Sequence, residues 1–447
     1  MKATYLILLV SIAMSLGSCK KFLDEKPDRS LSTPDKLQDL QALLDGAARM
    51  NRAAIAPMNA SDEFYLQPTV WTALPKQFDK DCYVWSPETQ NDQDWEALYI
   101  IVYYANTILD NIDRAGKNGT AAEYNSIKGS ALFFRAHAYY QLSQTFAAQF
   151  DPNTAESTKG IVLRGNSDFS IPSKRSTIKE TFEQILGDLN EAKTLLPIDV
   201  LYKTRVNRAS AFALMARTYL IMGDYDNALN NASSALELNN RLLDFNALDA
   251  RTTAPFPLFN DEVVFYCNTN LPLVSVSSRA IIDTALYRSY QDNDLRKSVY
   301  FSSNGKGGYF FKGSLNGSTS NIFNGIANDE LYLIKAECEA RTGNAPGSMR
   351  TLNTLIRKRF KTGSFTDFSA ANSDEALQLV LAERKKELIY RGLRFSDIRR
   401  LNMKGAAIFL TRNLDGKIYR LEPNDKRFTW LIPQKVISLT ELEQNER

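Results

Sequence analysis

A single histidine, His137, and four cysteines are all the imidazole and thiol chemistry present in 447 residues. That scarcity excludes several functions. A zinc site draws Cys and His ligands at short spacing, and neither a Cys-x-x-Cys nor a histidine pair occurs. A triad hydrolase needs a histidine base beside a nucleophile, and no Gly-x-Ser-x-Gly elbow accompanies His137. His137 sits in LFFRAHAYYQL, residues 132–142, inside an amphipathic helical pattern, and reads as a packed core or groove residue. With no Gly-x-Gly-x-x-Gly and no Walker run, the chain lacks a phosphate cradle, and no cofactor is expected. The acid-rich NDQDWE at 91–96 lacks the central Gly and closing Glu of a calcium loop. It reads as a helix N-terminus, where carboxylates favour the dipole, and no metal is expected. An excess of one charge is also missing. The 54 basic and 51 acidic residues, net +3, are spread along the chain and form no stripe for nucleic acid. Past the first 18 residues, no run is apolar enough to span a bilayer, which takes about 20 residues.

Those first residues carry the earliest positive signal. Lys2 precedes a short apolar stretch that ends in Leu16, Gly17, Ser18 and Cys19. The layout is that of a secretion signal, and LGSC resembles the lipobox of bacterial lipoproteins. The resemblance implies cleavage before Cys19 and lipid attachment, palmitate included, at Cys19. One acyl chain holds only marginally, whereas several, at about 0.8 kcal/mol per buried CH2, anchor a protein stably. Residues 1–18 are thus expected to be a signal peptide and 19–33 a tether, with Lys20, Lys21, Asp24 and Glu25 just outside the lipid. Similar charged tethers accompany surface export in some Gram-negative lipoproteins. Cys82, Cys267 and Cys338 then remain, an odd number with wide spacing and no disulfide framework. Cys338 falls on an apolar helical face and reads as a buried thiol. A bridge between Cys82 and Cys267 is left open, with nothing in the spacing to support it.

Residues 34–447 read as one unit, mainly α-helical. Apolar residues recur at helical spacing over 93–115, 121–148 and 177–195, the last stopping at Pro197. Residues 207–240 form a local repeat. Ala216, Tyr219, Gly223, Tyr225, Ala228, Ala232 and Ala235 stand where a tetratricopeptide repeat places its small and aromatic residues. Residues 328–360 repeat the layout, with Ala336 matching Ala216, Gly343 matching Gly223 and Ser348 matching Ala228. Paired helices of this kind must stack to bury their faces, so about four helix pairs are expected within 93–240 and 328–402. Two segments, 51–92 and 241–327, are rich in Pro, Gly, Ser, Asn and aromatics. They read as loops with short strands, such as DEVVFYCN and GGYFFKG, carried on the helical frame.

Phe64, Tyr65, Trp71, Tyr83 and Trp85 cluster in the first of these segments among Asp62, Gln67, Lys76 and Asp81. Flat rings stack on the C–H faces of sugars, and carboxylates or amides bind the hydroxyl rims. The same surface suits a peptide or a partner protein. A glycosidase needs only two carboxylates at a set separation, and Asp62 with Glu63 is the pair to consider, although no second acid must meet them.

The most specific signal is ERKKELIYRGLRFSDIRRLN at 383–402. It closely resembles the signature of the SusD/RagB family of outer-membrane nutrient-binding lipoproteins, through Glu383, Arg384, Glu387, Leu388, Gly392, Arg394, Asp397 and Arg399. Within it, Glu387 and Arg391 lie four apart and are expected to pair. Gly392 is expected to cap the helix, and Asp397 with Arg394 and Arg399 to form a tertiary charge lock. The resemblance extends over CKKFLDEKP after the lipobox, 98–112, 129–142 and DNDLR at 292–296. It weakens at the C-terminus, where LIPQKVISLTELEQNER replaces the family's usual ending. It implies a tetratricopeptide-like frame with a loop-rich subdomain, at the outer-membrane surface, held by Cys19. The partner it implies is a TonB-dependent barrel of the SusC type. The function it implies is capture of oligosaccharide for polysaccharide utilisation, with no bond chemistry. Ligand contacts are expected from 59–92 and roughly 266–315: Asp62, Tyr65, Trp71 and Trp85 in the first, Tyr287, Arg288 and Tyr309 in the second. A peptide ligand, a protein-only adaptor and a glycosidase are the alternatives.

Overall fold

The computed structural model describes residues 34–270, 274 and 278–447. The signal segment 1–18, Cys19 and the tether 19–33 lie outside the described residues. Among the described residues, no helix is long and apolar enough to cross a membrane.

The frame begins with α1 (Leu37–Leu44) and α2 (Ala47–Met50), which pack on α6 (Asp92–Ala115). The NDQDWE motif starts α6 as expected: Asn91 Oδ1 accepts the Asp94 N–H. The next two long helices, α7 (Ala121–Phe146) and α8 (Ile178–Leu195), each open on a capping box, Thr120 with Glu123 and Thr177 with Glu180. The expected helix pairs are α9 (Arg208–Met222) with α10 (Tyr225–Leu238), and α13 (Asn328–Arg341) with α14 (Ala345–Ile356). Gly223 and Gly343 both take positive φ at the turn within each pair. Ala216, Ala228, Ala336 and Ser348 are fully buried, and their small volumes allow each pair its close approach. Contacts run in order, α6 to α7, α7 to α8, α8 to α9, α9 to α10, α10 to α13 and α13 to α14, so the fold is a stacked, mainly helical array. The array ends on α15 (Ser373–Glu387), which packs against α13 and α14, and on α16 (Arg394–Asn402).

Segment 51–92 departs from the expected loop. It contains α3 (Ala56–Asn59), α4 (Pro68–Thr72) and α5 (Gln77–Tyr83), with Pro57 and Pro68 in the first turns of α3 and α4. Proline is pre-set for a helix start, but helices this short contain too few turns for a periodic pattern to show. Segment 241–327 carries short antiparallel pairs, as expected. They are β4 (Val263–Phe265) with β10 (Ile326–Ala327), β5 (Asn268–Asn270) with β9 (Asn321–Phe323), and β7 (Phe301–Ser303) with β8 (Tyr309–Phe311). Strands β1 (Phe64–Tyr65) and β6 (Ile281–Ile282) join the two segments, while β2 (Lys159–Val162) pairs with β3 (Arg175–Thr177). The short α11 (Thr284–Arg288) and α12 (Arg296–Val299) follow β6, and α17 (Gln434–Leu439) lies near the C-terminus.

One element was not anticipated. β11 (Leu410–Leu414) and β12 (Lys417–Leu421) form a hairpin closed by Asp415 and Gly416, both at positive φ (52° and 82°). Asp-Gly between apolar-alternating runs is the signal for this turn.

A large apolar cluster fills the helical array, a second lies beneath the insert and a third sits between α13, α14 and α15. His137 is a core residue, fully buried between Phe133 and Phe265, and burial pushes its pKa down to about 3. Cys82, Cys267 and Cys338 are buried and free, so the bridge between Cys82 and Cys267 does not form.

Candidate functional site

The antiparallel pairing of β1 with β6 sets Phe64 opposite Ile282 and Tyr65 opposite Ile281. Alternation sends Phe64 into the second apolar cluster and leaves Tyr65 half-exposed on the opposite face with Ile281. The connection continues as the Asp283 N–H donates to the Glu63 carbonyl at 2.9 Å. Asp283 also caps α11, its Oδ1 accepting the Leu286 N–H at 2.8 Å. That cap fixes Tyr287 and Arg288 in the following turn, with Arg288 exposed. The Tyr287 ring stacks on Tyr309 of β8, with 3.6 Å between centroids and 14° between planes. Beside Tyr309, Gly308 lies so close to β6 that a Cβ there would sit 2.8 Å from Ile281 Cγ2. Tyr65, Tyr287 and Tyr309 therefore belong to one strand assembly, although their segments are some 200 positions apart in the chain.

Trp71 stands on α4, half-buried, its Nε1 donating to the Lys80 carbonyl at 3.2 Å. Across from it is Tyr419 of the unanticipated hairpin, with ring centroids 6.4 Å apart. The two border an open cleft of about 450 Å³ walled by Gln77, Lys80, Asp81 and Arg427. Lys417 Nζ lies 4.7 Å from the Tyr419 ring. Trp71, Tyr287, Tyr309 and Tyr419 all pack partly buried on the rim of the second apolar cluster. A larger cavity of about 670 Å³ opens elsewhere, between Arg175, Arg399 and the C-terminal tail, but its aromatic wall is the buried Phe428.

Two expected contact residues are placed differently. Trp85 is only 3 % exposed: its Nε1 donates to the Ala60 carbonyl at 3.0 Å and the Arg412 guanidinium lies 4.9 Å from its ring. It is a core residue that reaches the cleft by an edge. Asp62 is held by Arg394 through two hydrogen bonds (2.7 and 2.9 Å) and by Lys385 at 3.0 Å. Burial alone would raise its pKa, but these two cations outweigh burial and hold the carboxyl well below the usual range. Its neighbour Glu63 is buried, accepts from Ser61 Oγ and the Tyr390 N–H, and is pushed up to about 7 by burial. Asp62 thus clamps the first segment to the entry of α16, while its neighbour Glu63 is buried.

The signature residues are buried scaffold, in a pairing that differs from expectation. Glu387 pairs with Arg296 at 3.0 Å and Arg359 at 2.7 Å, not with Arg391. Arg296, from DNDLR, also holds Asp294 and Glu383. Arg391 pairs with Asp329 at 2.8 Å. Asp397 pairs with Arg384 and Arg400, while Arg394 holds Asp62. Arg399 donates to the Gln144 and Ala147 carbonyls, where a cation meets the negative end of α7. Gly392 takes φ 71°, four residues past the cap of α15 at Leu388. Helical spacing reveals which residues share a face. It cannot reveal which side chains another element brings to that face.

Comparison with known proteins completes the assignment. A family model described as "Starch-binding associating with outer membrane" matches residues 21–220, and one described as "SusD family" matches 276–438. A "SusD-like protein P2" of Formosa agariphila is 23% identical over 76% of each chain. Among solved structures, a SusD superfamily protein of Bacteroides thetaiotaomicron aligns with a TM-score of 0.76 at 20% identity, covering 92% of this chain and 100% of that one. A SusD-like carbohydrate binding protein of Bacteroides vulgatus aligns with a TM-score of 0.69 at 18% identity, covering 91% and 97%. These structures share the fold; the two family models, together spanning most of the sequence, show that the chain belongs to the SusD/RagB family of nutrient-binding proteins.

Proposed function

We propose that this chain is a surface lipoprotein, anchored through Cys19 in the outer membrane, that captures oligosaccharide as the lid of a TonB-dependent barrel of the SusC type. It makes and breaks no bonds. The observation that carries this reading is the rim of partly buried rings, Trp71, Tyr287, Tyr309 and Tyr419, that three separate parts of the chain bring onto one apolar cluster, with Tyr65 on the outer face of the neighbouring strand pair. Rings anchored from behind lose little freedom on binding, so a sugar face can stack on them at low entropic cost. Lys80, Asp81, Gln77 and Arg427 supply donors and acceptors for hydroxyls at the cleft edge. Tethering beside the barrel turns modest affinity into a high local concentration of ligand.

Residues 20–447, purified without lipid, are expected to bind a member of a glycan panel without cleaving it. Trp71→Ala or Tyr419→Ala should weaken that binding by about 1 kcal/mol each, roughly fivefold in Kd. If a peptide panel binds and no glycan does, the ligand class is wrong. If Trp71→Ala, Tyr287→Ala and Tyr419→Ala all leave Kd unchanged, the site is wrong. Radiolabelled palmitate should attach to the full chain and not to its Cys19→Ser variant.

A further inference from the structure

A small chamber lies where the helical frame, the insert and the signature turn meet. Its walls include Tyr140 and Gln144 of α7, Arg217 of α9, Asn324 between β9 and β10, and Arg391 and Gly392 before α16. Its free volume is about 20 Å³. Tyr140, Gln144, Asn324 and Arg391 are each at least nine-tenths buried. Six of their polar atoms have no hydrogen-bond partner among the described residues: Tyr140 Oη, Gln144 Oε1, both amide atoms of Asn324, and Nε and Nη2 of Arg391. The Arg391 guanidinium gives Nη1 to Asp329 at 2.8 Å, whereas its Nη2 is 4.0 Å from Glu330, too far for a hydrogen bond. One edge of a buried cation is therefore left free. Across the chamber, Arg217 is occupied by Glu330 and by the Gly325 carbonyl.

Three features identify what belongs there. The unpartnered set mixes donors (Arg391, Asn324 Nδ2) with acceptors (Gln144 Oε1, Asn324 Oδ1), so the occupant must both accept and donate. The charges already balance, two guanidiniums against Asp329 and Glu330, so an added ion would bring an unmatched charge into a buried site. The volume holds roughly one or two water molecules and nothing larger. We propose that this chamber is a site for tightly bound water that accepts from the free edge of Arg391, donates to the amide oxygens of Gln144 and Asn324, and bonds Tyr140. The water joins α7, the turn between β9 and β10 and the signature turn, three elements that here share no direct hydrogen bond among these six atoms. This holds whether or not the rim of rings binds glycan.

Hydroxyl-radical footprinting at millisecond exposure tests the site in solution on the intact protein. Side chains touching bound water oxidise faster than their exposure predicts. Tyr140 should therefore label several-fold faster than its neighbour Tyr139, which is equally buried but has its Oη paired with the Arg164 carbonyl at 2.8 Å. Equal rates would overturn the proposal. Crystals grown with and without sodium bromide give the second readout. Ordered density at hydrogen-bond distance from Arg391 and Gln144, with no anomalous peak, supports water. A bromide peak would make the site an anion site, and side chains collapsed into mutual contact would leave no site at all.

Discussion

Arg217 on α9 and Glu330 on α13 lock two helices of the array together, with the Gly325 carbonyl tying in the insert, and breaking that lock has a calculable cost. Both side chains are buried, at 2% and 0% exposure. Nε donates to Oε1 at 2.7 Å, and Nη2 donates to Oε2 at 2.6 Å and to the Gly325 carbonyl at 2.8 Å. Arg217→Met keeps much of the stem but strands a buried carboxylate, a loss of about 3–5 kcal/mol. Arg391, 4.0 Å from Glu330, softens the loss toward the lower end of that range. Glu330→Leu strands the guanidinium instead and should cost about as much. The double variant removes both charges, leaving mainly the Gly325 carbonyl without its donor, about 1–3 kcal/mol. The two single penalties should therefore exceed the double one by several kcal/mol. Urea unfolding of the four proteins, followed by tryptophan fluorescence, measures this cycle. pH adds a second handle. Burial raises the Glu330 carboxyl, but Arg217 outweighs burial and holds it below its ordinary 4.5. The parent therefore carries this stability above pH 4.5 and loses it as pH falls through the lower folded value. In Arg217→Met burial is opposed only by Arg384 and Arg391, neither of which hydrogen-bonds Glu330, so the carboxyl rises and the penalty should shrink from pH 8 toward pH 5. A penalty under about 1 kcal/mol, or single penalties that simply add, would refute the reasoning.

Trp85→Ala should destabilise by about 3–5 kcal/mol through the cavity it leaves, whereas Trp71→Ala should change urea stability far less; equal losses would show that Trp71 is core as well. Glu63, raised by burial to about 7, should make the parent lose stability as pH climbs from 4.5 through 7. Glu63→Gln removes that titration and should gain up to about 3 kcal/mol on the parent between pH 5 and pH 8, while parallel pH curves would contradict the assignment. Gly392→Ala, at φ 71° with a Cβ 3.0 Å from Asn324 Nδ2, should cost about 1–2 kcal/mol, read from its urea midpoint. Cys82, Cys267 and Cys338 are buried with their thiols pushed up by desolvation, so maleimide should reach none of them until the protein is unfolded, and all three then.

Much of the helical frame was legible because its determinants are local. The capping boxes at Thr120 and Thr177, the Asn91 cap, and the alanines and glycines of the two repeated pairs each act within a few residues of their own position. The short helices of 51–92 were not legible, since four to seven residues show no period. The hairpin that carries Tyr419 is signalled by turn chemistry, Asp415 and Gly416, rather than by periodicity. The same limit governs the site. Tyr65, Trp71, Tyr287 and Tyr309 stood out by residue type, and so did Trp85, but type alone does not separate a ring on a rim from a ring in a core.

The helical array and its repeat are written into the amino-acid order, because helix caps, periodicity and close-packed small residues are short-range physics. The same order supplies the signature that marks the family. Which charges meet depends on the assembled fold: Asp62 with Arg394, Glu387 with Arg296 and Arg359, Asp397 with Arg400. The same assembly turns Trp85 inward and sets Trp71 against Tyr419. An ion pair or a ring contact between distant segments depends on where whole elements dock, and docking minimises the free energy of the entire packed chain rather than of any stretch of it.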